Sequence, residues 1–283
     1  MKKIGLIAIL ILIGFITWSV RQQPNNLQAT SAANESTSKL VLTGSSTVAP
    51  LAAEIGKRFE ALHPEVRIDV QTGGSSRGVN DARSGLADIG MASRALKADE
   101  TDLQAQTIAL DGIGIILHSS NPVATLDKQQ IIDIYTGKIV NWQAVGGRDA
   151  PITVVNKAEG RSTLELFLQF FGLKNTDVKP QVVIGDNQQG IKTVSGNPDA
   201  IGYVSIGSAE YEAEHGVAIK LLPLDGIAAS VENVRNQSFP LSRPLNLVTK
   251  TAPTGLIKTF IDFAHSEQVD DLIAAQYFVA VPR

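Results

Sequence analysis

Four short segments of the chain combine hydroxyls, glycine and arginine: Gly44-Ser45-Ser46-Thr47, Gly73-Gly74-Ser75-Ser76-Arg77-Gly78, Ala92-Ser93-Arg94 and Glu159-Gly160-Arg161-Ser162-Thr163. Hydroxyls donate hydrogen bonds to oxygen, glycine lets the backbone come close, and a guanidinium matches two oxygens of a tetrahedral anion at once. Each segment falls where a strand-like run ends and a helical pattern begins. That position supplies free backbone N–H groups and the positive end of a helix dipole. One such loop reads as plain helix capping by Ser46, Thr47 or Ser162. Four in one chain, three with an arginine in or beside them, point to a cage for a small oxyanion. A buried dianion needs that many donors to offset its lost hydration.

Other chemistries fit less of the chain. Gly74-Ser75-Ser76-Arg77-Gly78 matches G-x-S-x-G, the nucleophile elbow of hydrolases, with Ser76 as nucleophile and His215 or His265 as base. The pattern is short, and it leaves the other three loops without a role. Gly137-Lys138 is no P-loop, because the glycine five residues before the lysine is missing and Ile139 replaces the Ser/Thr. Asp88, inside an apolar segment, reads as a brace for the strand end, with acceptance of a ligand proton as its other role. The four histidines are mutually distant and cysteine is absent. This excludes disulfides, thiolate metal sites, a histidine-rich metal site and a lipid-anchored N-terminal cysteine. Neither metal nor cofactor is expected. Trp142, Tyr135, Phe167, Phe170 and Phe171 fall on helical or turn positions and read as core.

The elements that must position the loops alternate between strand and helix, as in βαβ units. Strands are expected at 40–42, 66–70 and 87–91, with helices from about 49 to 62 and through Ala82. Pro50 suits the first turn of the former, and Leu51, Ile55, Phe59 and Leu62 follow helical spacing. The run Ile108–Leu117 is a strand long enough to pass between two lobes. Beyond it, Asp127 caps a helix, and strands at 152–155, 182–184 and 201–204 alternate with helices from Ser162 and from about 188 to 194. The helix from Ser162 turns Leu164, Phe167, Leu168 and Phe171 inward. A strand at 244–248 and helices at about 254–265 and 267–275 close the chain. Three loops precede the long strand and one follows it, as a cleft between two lobes requires.

The chain has 283 residues, a formal charge of −3 and 43% hydrophobic residues. That length fits one large α/β domain or two lobes, and the acidic balance disfavours nucleic acid as partner. Lys2 and Lys3 precede the apolar run Ile4–Val20, the layout of an export signal or an uncleaved membrane anchor over 1–23. Residues 24–38 are polar and read as a disordered linker.

Leu42–Pro50, Gly73–Val79 and Asp88–Arg94 together resemble the phosphate-binding component of bacterial phosphate ABC transporters. Further matches are Asp111-Gly112-Ile113, Asn121-Pro122-Val123, Tyr135–Ile139 with Asn141-Trp142, and Ala200–Val204. The resemblance implies an α/β, two-lobed type II periplasmic-binding-protein fold with the anion in the interlobe cleft, and no catalysis. Position by position it places Ser46 and Thr47, Ser75 and Ser76, and Ser162 and Thr163 at the phosphate. Ser93, Arg94 and Arg161 join them from the loop chemistry, with Ser45, Arg77, Asp88 and Lys157 as a secondary set. Three departures stand out. Arg94 occupies the place where many members have a proton-accepting aspartate, and Lys157 stands where many have arginine. The usual Gly-Ser-Gly-Thr is here Gly160-Arg161-Ser162-Thr163.

The expectation is therefore an exported or membrane-tethered monomer, periplasmic or on the outer face of the inner membrane. It captures inorganic phosphate and delivers it to the permease subunits of a phosphate ABC transporter. Lobe one is 39–116 plus 240–283, and lobe two is 117–239. Other oxyanions (sulfate, molybdate, tungstate), a sensing or adhesion role, and a Ser76 hydrolase are the alternatives.

Overall fold

A computed structural model describes residues 38–282. The export segment and the linker lie outside the described residues, except Ser38, which already begins the first strand. The chain opens as β1 (Ser38–Gly44), α1 (Ala49–Leu62), β2 (Val66–Thr72), α2 (Ser75–Ser84) and β3 (Ile89–Ala92), then runs into the long β4 (Gln104–His118). Next come α3 (Lys128–Tyr135), β5 (Thr153–Lys157), α4 (Ser162–Phe171), β6 (Val182–Ile184), α5 (Asn187–Ser195) and β7 (Ala200–Ser205). The last part holds α6 (Ile206–Glu214), β8 (Ile219–Leu222), α7 (Val231–Arg235), β9 (Ser242–Thr249), α8 (Gly255–Ala264), α9 (Asp270–Ala275) and β10 (Val279–Ala280).

Local chemistry accounts for most of these boundaries. In α1, Pro50 sits in the first turn and Leu51, Ile55 and Phe59 are buried, whereas Leu62 at the helix end is exposed. A capping box of Asp127 and Gln130 starts α3. In α4, Leu164, Phe167 and Phe171 are buried and Leu168 is half-buried. Three elements leave no periodic signal in the sequence. α6 starts directly from β7, with Ser205 both ending the strand and capping the helix. β8 and α7 span 4 and 5 residues, too short for a period to register. β4 also begins earlier than its apolar run, because Gln104–Thr107 pair with β9 although their side chains are polar or exposed.

The strands lie in the order β2-β1-β3-β9-β4-β7-β5-β6, with β8 and β10 also pairing with β4. The sheet is mixed, with β1–β2, β1–β3, β5–β6 and β5–β7 parallel and every pairing of β4 antiparallel. β4 is the shared member. Its first part, to Gly112, pairs with β9, and from Ile113 onward it pairs with β7. Two main cores follow that division. One gathers Leu42, Ile55, Phe59, Ile89, Leu247 and Phe260. The other gathers Ile115, Tyr135, Trp142, Phe167, Tyr203 and Phe239. Across the strand from the second core, Ile116 joins Val155, Ile191 and Val204 in a smaller cluster, as side-chain alternation requires.

α2 reaches its place only because Gly78 is bare. A Cβ there would stand 2.5 Å from the Thr43 carbonyl oxygen and 2.7 Å from that of Met91. Both obstacles are backbone, so neither can rotate away. Gly78→Ala is expected to destabilise the protein by about 1–3 kcal/mol, the range for overpacking. Denaturant unfolding checks this, and wild-type stability would contradict the packing of α2 on β1 and β3.

Candidate functional site

The centre of the site is a pair that the loop motifs do not contain. Asp111 and Arg243 are cross-strand partners on β4 and β9, at the point where β4 changes neighbours. Arg243 Nε and Nη2 donate to Asp111 Oδ2 at 3.1 and 2.8 Å, and both side chains are 1% exposed. Asp111 Oδ1 accepts from the Gly207 backbone at 3.2 Å. From the other edge of the guanidinium, Nη1 donates to Thr163 Oγ1 at 2.9 Å and Ser93 Oγ at 3.3 Å, and Nη2 to Thr47 Oγ1 at 3.3 Å. One side chain thus draws together the first, third and fourth loops.

The hydrogen-bond directions state what these groups can hold. A hydroxyl that accepts from a guanidinium keeps its own proton to donate. Thr47 Oγ1 accepts twice, from Arg243 and from Asn187 Nδ2 at 3.1 Å. Ser162 Oγ, at the start of α4, is buried and has no hydrogen-bond partner. Lys157 Nζ, on a side chain in a residue only 3% exposed, donates to Asn187 Oδ1 at 3.0 Å. Lys157 forms no ion pair with a carboxylate among the described residues. Burial first, and then the neighbouring charge of Arg243, lowers its pKa from 10.5 to about 7. Asp186 opposes this and Arg161 adds to it. Donors therefore converge, and the one carboxylate among them is committed to Arg243. The complement is an acceptor-rich anion.

The loops place the remaining expected residues in three ways. Some brace the cage: Ser45 Oγ accepts from the Thr47 and Val48 backbones, and Ser75 Oγ accepts from the Ser93 backbone at 3.1 Å. Others join the cleft walls. Ser46 is half-buried beside Asn187 and Gln188. Ser76 donates through Oγ to Glu165 at 3.0 Å and through its backbone to the Gly160 carbonyl at 3.2 Å. Gly74 permits that approach, since at φ 97° a Cβ would meet Gly160 O at 2.6 Å. Arg161 is half-buried, its side chain lying between Gly74 and Gly185.

Three expected residues stand apart from the cluster. Arg94 is turned away from Ser93 and held by carboxylates, with Nη1 and Nη2 on Glu100 at 2.7 and 2.8 Å and Nε 3.1 Å from Glu165. Ser93 and Arg94 lie in a bend just past β3, and the buried Arg94 is drawn to Glu100 and Glu165 rather than to the hydroxyl cluster of Arg243. Arg77 lies along its own helix, with Nε 3.1 Å from Asp81. Asp88 is exposed and accepts from the Val41 backbone at 2.8 Å, which is the strand brace. The sequence held a signal for the missed pair. A carboxylate inside an apolar run, as at Asp111, requires a buried cation, and Arg243, the second residue of β9, is its cross-strand partner. Nothing local marked Asn187.

The Ser76–His215 pairing of a hydrolase is not assembled. Ser76 Oγ faces Glu165, and His215 Nδ1 lies 2.7 Å from the Tyr211 carbonyl oxygen of its own helix. Among the described residues no three His, Asp or Glu gather as a metal site would require.

Two lobes sharing a mixed sheet, with a donor-lined cleft where their common strands cross, define a two-lobed receptor of the type II periplasmic-binding-protein fold. Residues 29–268 match the model of the PBP superfamily domain. A structure from Clostridium perfringens with bound phosphate, assigned to the phosphate ABC transporter substrate-binding proteins, is 36% identical, with a TM-score of 0.78 over 86% of this chain and 100% of that one. An ABC-type phosphate transport receptor from Vibrio cholerae is 31% identical, with a TM-score of 0.69 over 87% of this chain and 100% of that one. The phosphate-binding protein PstS of Bacillus subtilis (strain 168) is 26% identical over 99% of this chain and 95% of its own length. The chain belongs to the PBP superfamily, among the substrate-binding proteins of phosphate ABC transporters.

The depressed pKa of Lys157 has a stability consequence with a definite sign. Between about pH 7 and 10.5 the unfolded chain binds the lysine proton and the folded chain does not. Stability therefore rises with pH across that window, and the penalty of burying the charge is full below it. Lys157→Met removes the penalty. Its stability advantage over wild type should be largest at about pH 6 and shrink toward about pH 9.5, measured by denaturant unfolding. An advantage independent of pH would mean that Lys157 keeps its proton throughout.

Proposed function

We propose that this protein captures inorganic phosphate in the interlobe cleft and hands it to the permease subunits of a phosphate ABC transporter, without chemical change to the anion. The observation that carries the reading is the guanidinium of Arg243, backed by Asp111 and fronted by the hydroxyls of Thr47, Ser93 and Thr163. The unpartnered Ser162 Oγ supports it, because a buried donor without an acceptor is costly unless a ligand supplies one. The phosphate named for the Clostridium perfringens structure supports the choice of anion. Thr47, Ser93, Lys157, Ser162, Thr163, Asn187 and Arg243 are the proposed contacts, with Ser75, Ser76 and Arg161 on the loops around them.

The lobes would be the segments around the two cores. Core membership changes between Ala109 and Ile113, which supports placing the crossing of β4 slightly before residue 116. The return crossing falls near Leu241, which belongs with the second core, whereas Leu245 belongs with the first. Closure would be a hinge motion favoured by contacts that need both lobes. Ser76 with Gly160, and Arg94 and Lys97 with Glu165, are such contacts. Export, with the protein working outside the inner membrane, fits the family and the Lys2–Val20 segment. No described helix is long and apolar enough to cross a membrane.

Two measurements test the reading. Arg243→Lys should weaken phosphate binding at least tenfold, about 1.4 kcal/mol, because a point charge cannot replace the fork. Arg94→Lys should weaken binding less, because Arg94 acts only through the lobe-bridging Glu165. Calorimetric titration with equal affinity for wild type and Arg243→Lys would refute the cage. The second concerns sulfate. A site with a free carboxylate would reject it, since sulfate has no proton to offer. Here Asp88 braces a strand and Asp111 is occupied by Arg243. Sulfate is therefore expected to bind within a factor of about a hundred of phosphate in competition titrations. Complete rejection would require a proton acceptor that this arrangement lacks.

A further inference from the structure

Among the described residues no carboxylate forms an ion pair with Lys157, although the lysine lies inside the cage. Arg243 carries its counter-charge in Asp111, and the two cancel. Asp186, at the start of α5, caps the Gln189 backbone, and Arg161 lies near the rim. From β7, Tyr203 offers only its hydroxyl, which accepts from the Lys157 backbone at 3.3 Å. Asn187 takes one N–H of the amine and is itself neutral. With Arg243–Asp111 paired, Lys157 is an amine that Asp186 and Arg161 influence without forming an ion pair to it.

We propose that Lys157 is a proton-exchanging ligand group, neutral in the free cleft under mildly alkaline conditions and turned into an ammonium by the arrival of the anion. The inference rests on the anion reading of the cleft and adds to it the charge state in which the site binds. A dianion at hydrogen-bond distance favours the charged amine, and the buried, unpaired position disfavours it until then. The balance is one proton: the amine lone pair takes H⁺ from the buffer and becomes –NH₃⁺, and the anion loses nothing. The free amine lies close enough to neutrality for this, since its pKa is about 7. Arginine in the same place would hold its charge at every accessible pH and could not couple binding to protons. The consequence is an affinity that falls toward tenfold per pH unit above neutrality, because each binding event must find a proton.

Titration calorimetry with inorganic phosphate, in buffers of different ionisation enthalpy, reads the proton count directly. At about pH 8.5 phosphate is already doubly charged, so uptake reports the protein. The wild type should take up close to one proton per phosphate, and Lys157→Arg close to none while still binding. Absence of uptake in the wild type, or equal uptake in Lys157→Arg, would overturn the proposal and leave the phosphate reading intact. Binding of neither phosphate nor sulfate would overturn both. If the arginine variant folds poorly, carbon-13 labelling of the lysine ε position in the wild type gives a second readout. The Lys157 signal should move to its charged position on saturation with phosphate at the same pH, and an unmoved signal counts against the proposal.

Discussion

The buried Asp111–Arg243 pair is the interaction on which the rest of the site depends. Two opposite charges that are 1% exposed hold one another in place, because either alone would face the protein interior without hydration. Their strands are registered against each other where β4 passes from β9 to β7, so the pair sits at the crossing between the two cores. Asp111 takes two of the guanidinium's donor directions and orients the others. Those reach Thr47, Ser93 and Thr163, and so fix the position of three loops that are far apart in sequence.

A second consequence is the polarity of the cleft. The hydroxyls that serve as acceptors for Arg243 must present their protons elsewhere, and Asn187 likewise spends its oxygen on Lys157 and its nitrogen on Thr47. The network is thus closed on the protein side and open as donors on the other. Arg94, the arginine that the third loop offers most visibly, serves a different end. Together with Lys97 it holds Glu165, the same carboxylate that receives Ser76. The second and third loops are thereby fastened to the first turn of α4. Charge in the loops divides between holding the walls together and lining the space between them.

Glycine completes the geometry where side chains would block it. Gly78 lets α2 lie against β1 and β3, and Gly74 lets the Gly160 carbonyl come up to the Ser76 backbone. Both are steric permissions and carry no binding energy of their own. The second brings the first turn of α2 up to the loop that precedes α4.

The sequence by itself determined the alternation of strands and helices, the long strand, and three loops as places where hydroxyls meet helix starts; the third loop, after β3, leads to no helix. These are local properties: spacing of apolar residues, a proline in a first turn at Pro50, a capping box at Asp127 and Gln130. It also carried Thr47, Ser162 and Thr163, since a hydroxyl at the head of a helix is legible from its neighbours, and Ser93, although no helix follows β3 before β4. Short elements such as β8 and α7 stayed hidden, because 4 or 5 residues hold no period. What only the tertiary structure decided was which charges face the cleft. Arg243 is 132 residues from Asp111 and 196 from Thr47, so although a carboxylate inside an apolar run asks for a buried cation, nothing near Asp111 says which one answers. Arg94 stood in a loop motif, whereas Arg243 belonged to none. Arg243 is set against Asp111 by strand register and so faces the hydroxyls, whereas Arg94 is claimed by Glu100 and Glu165, and only the three-dimensional placement of those carboxylates makes that choice, not residue type.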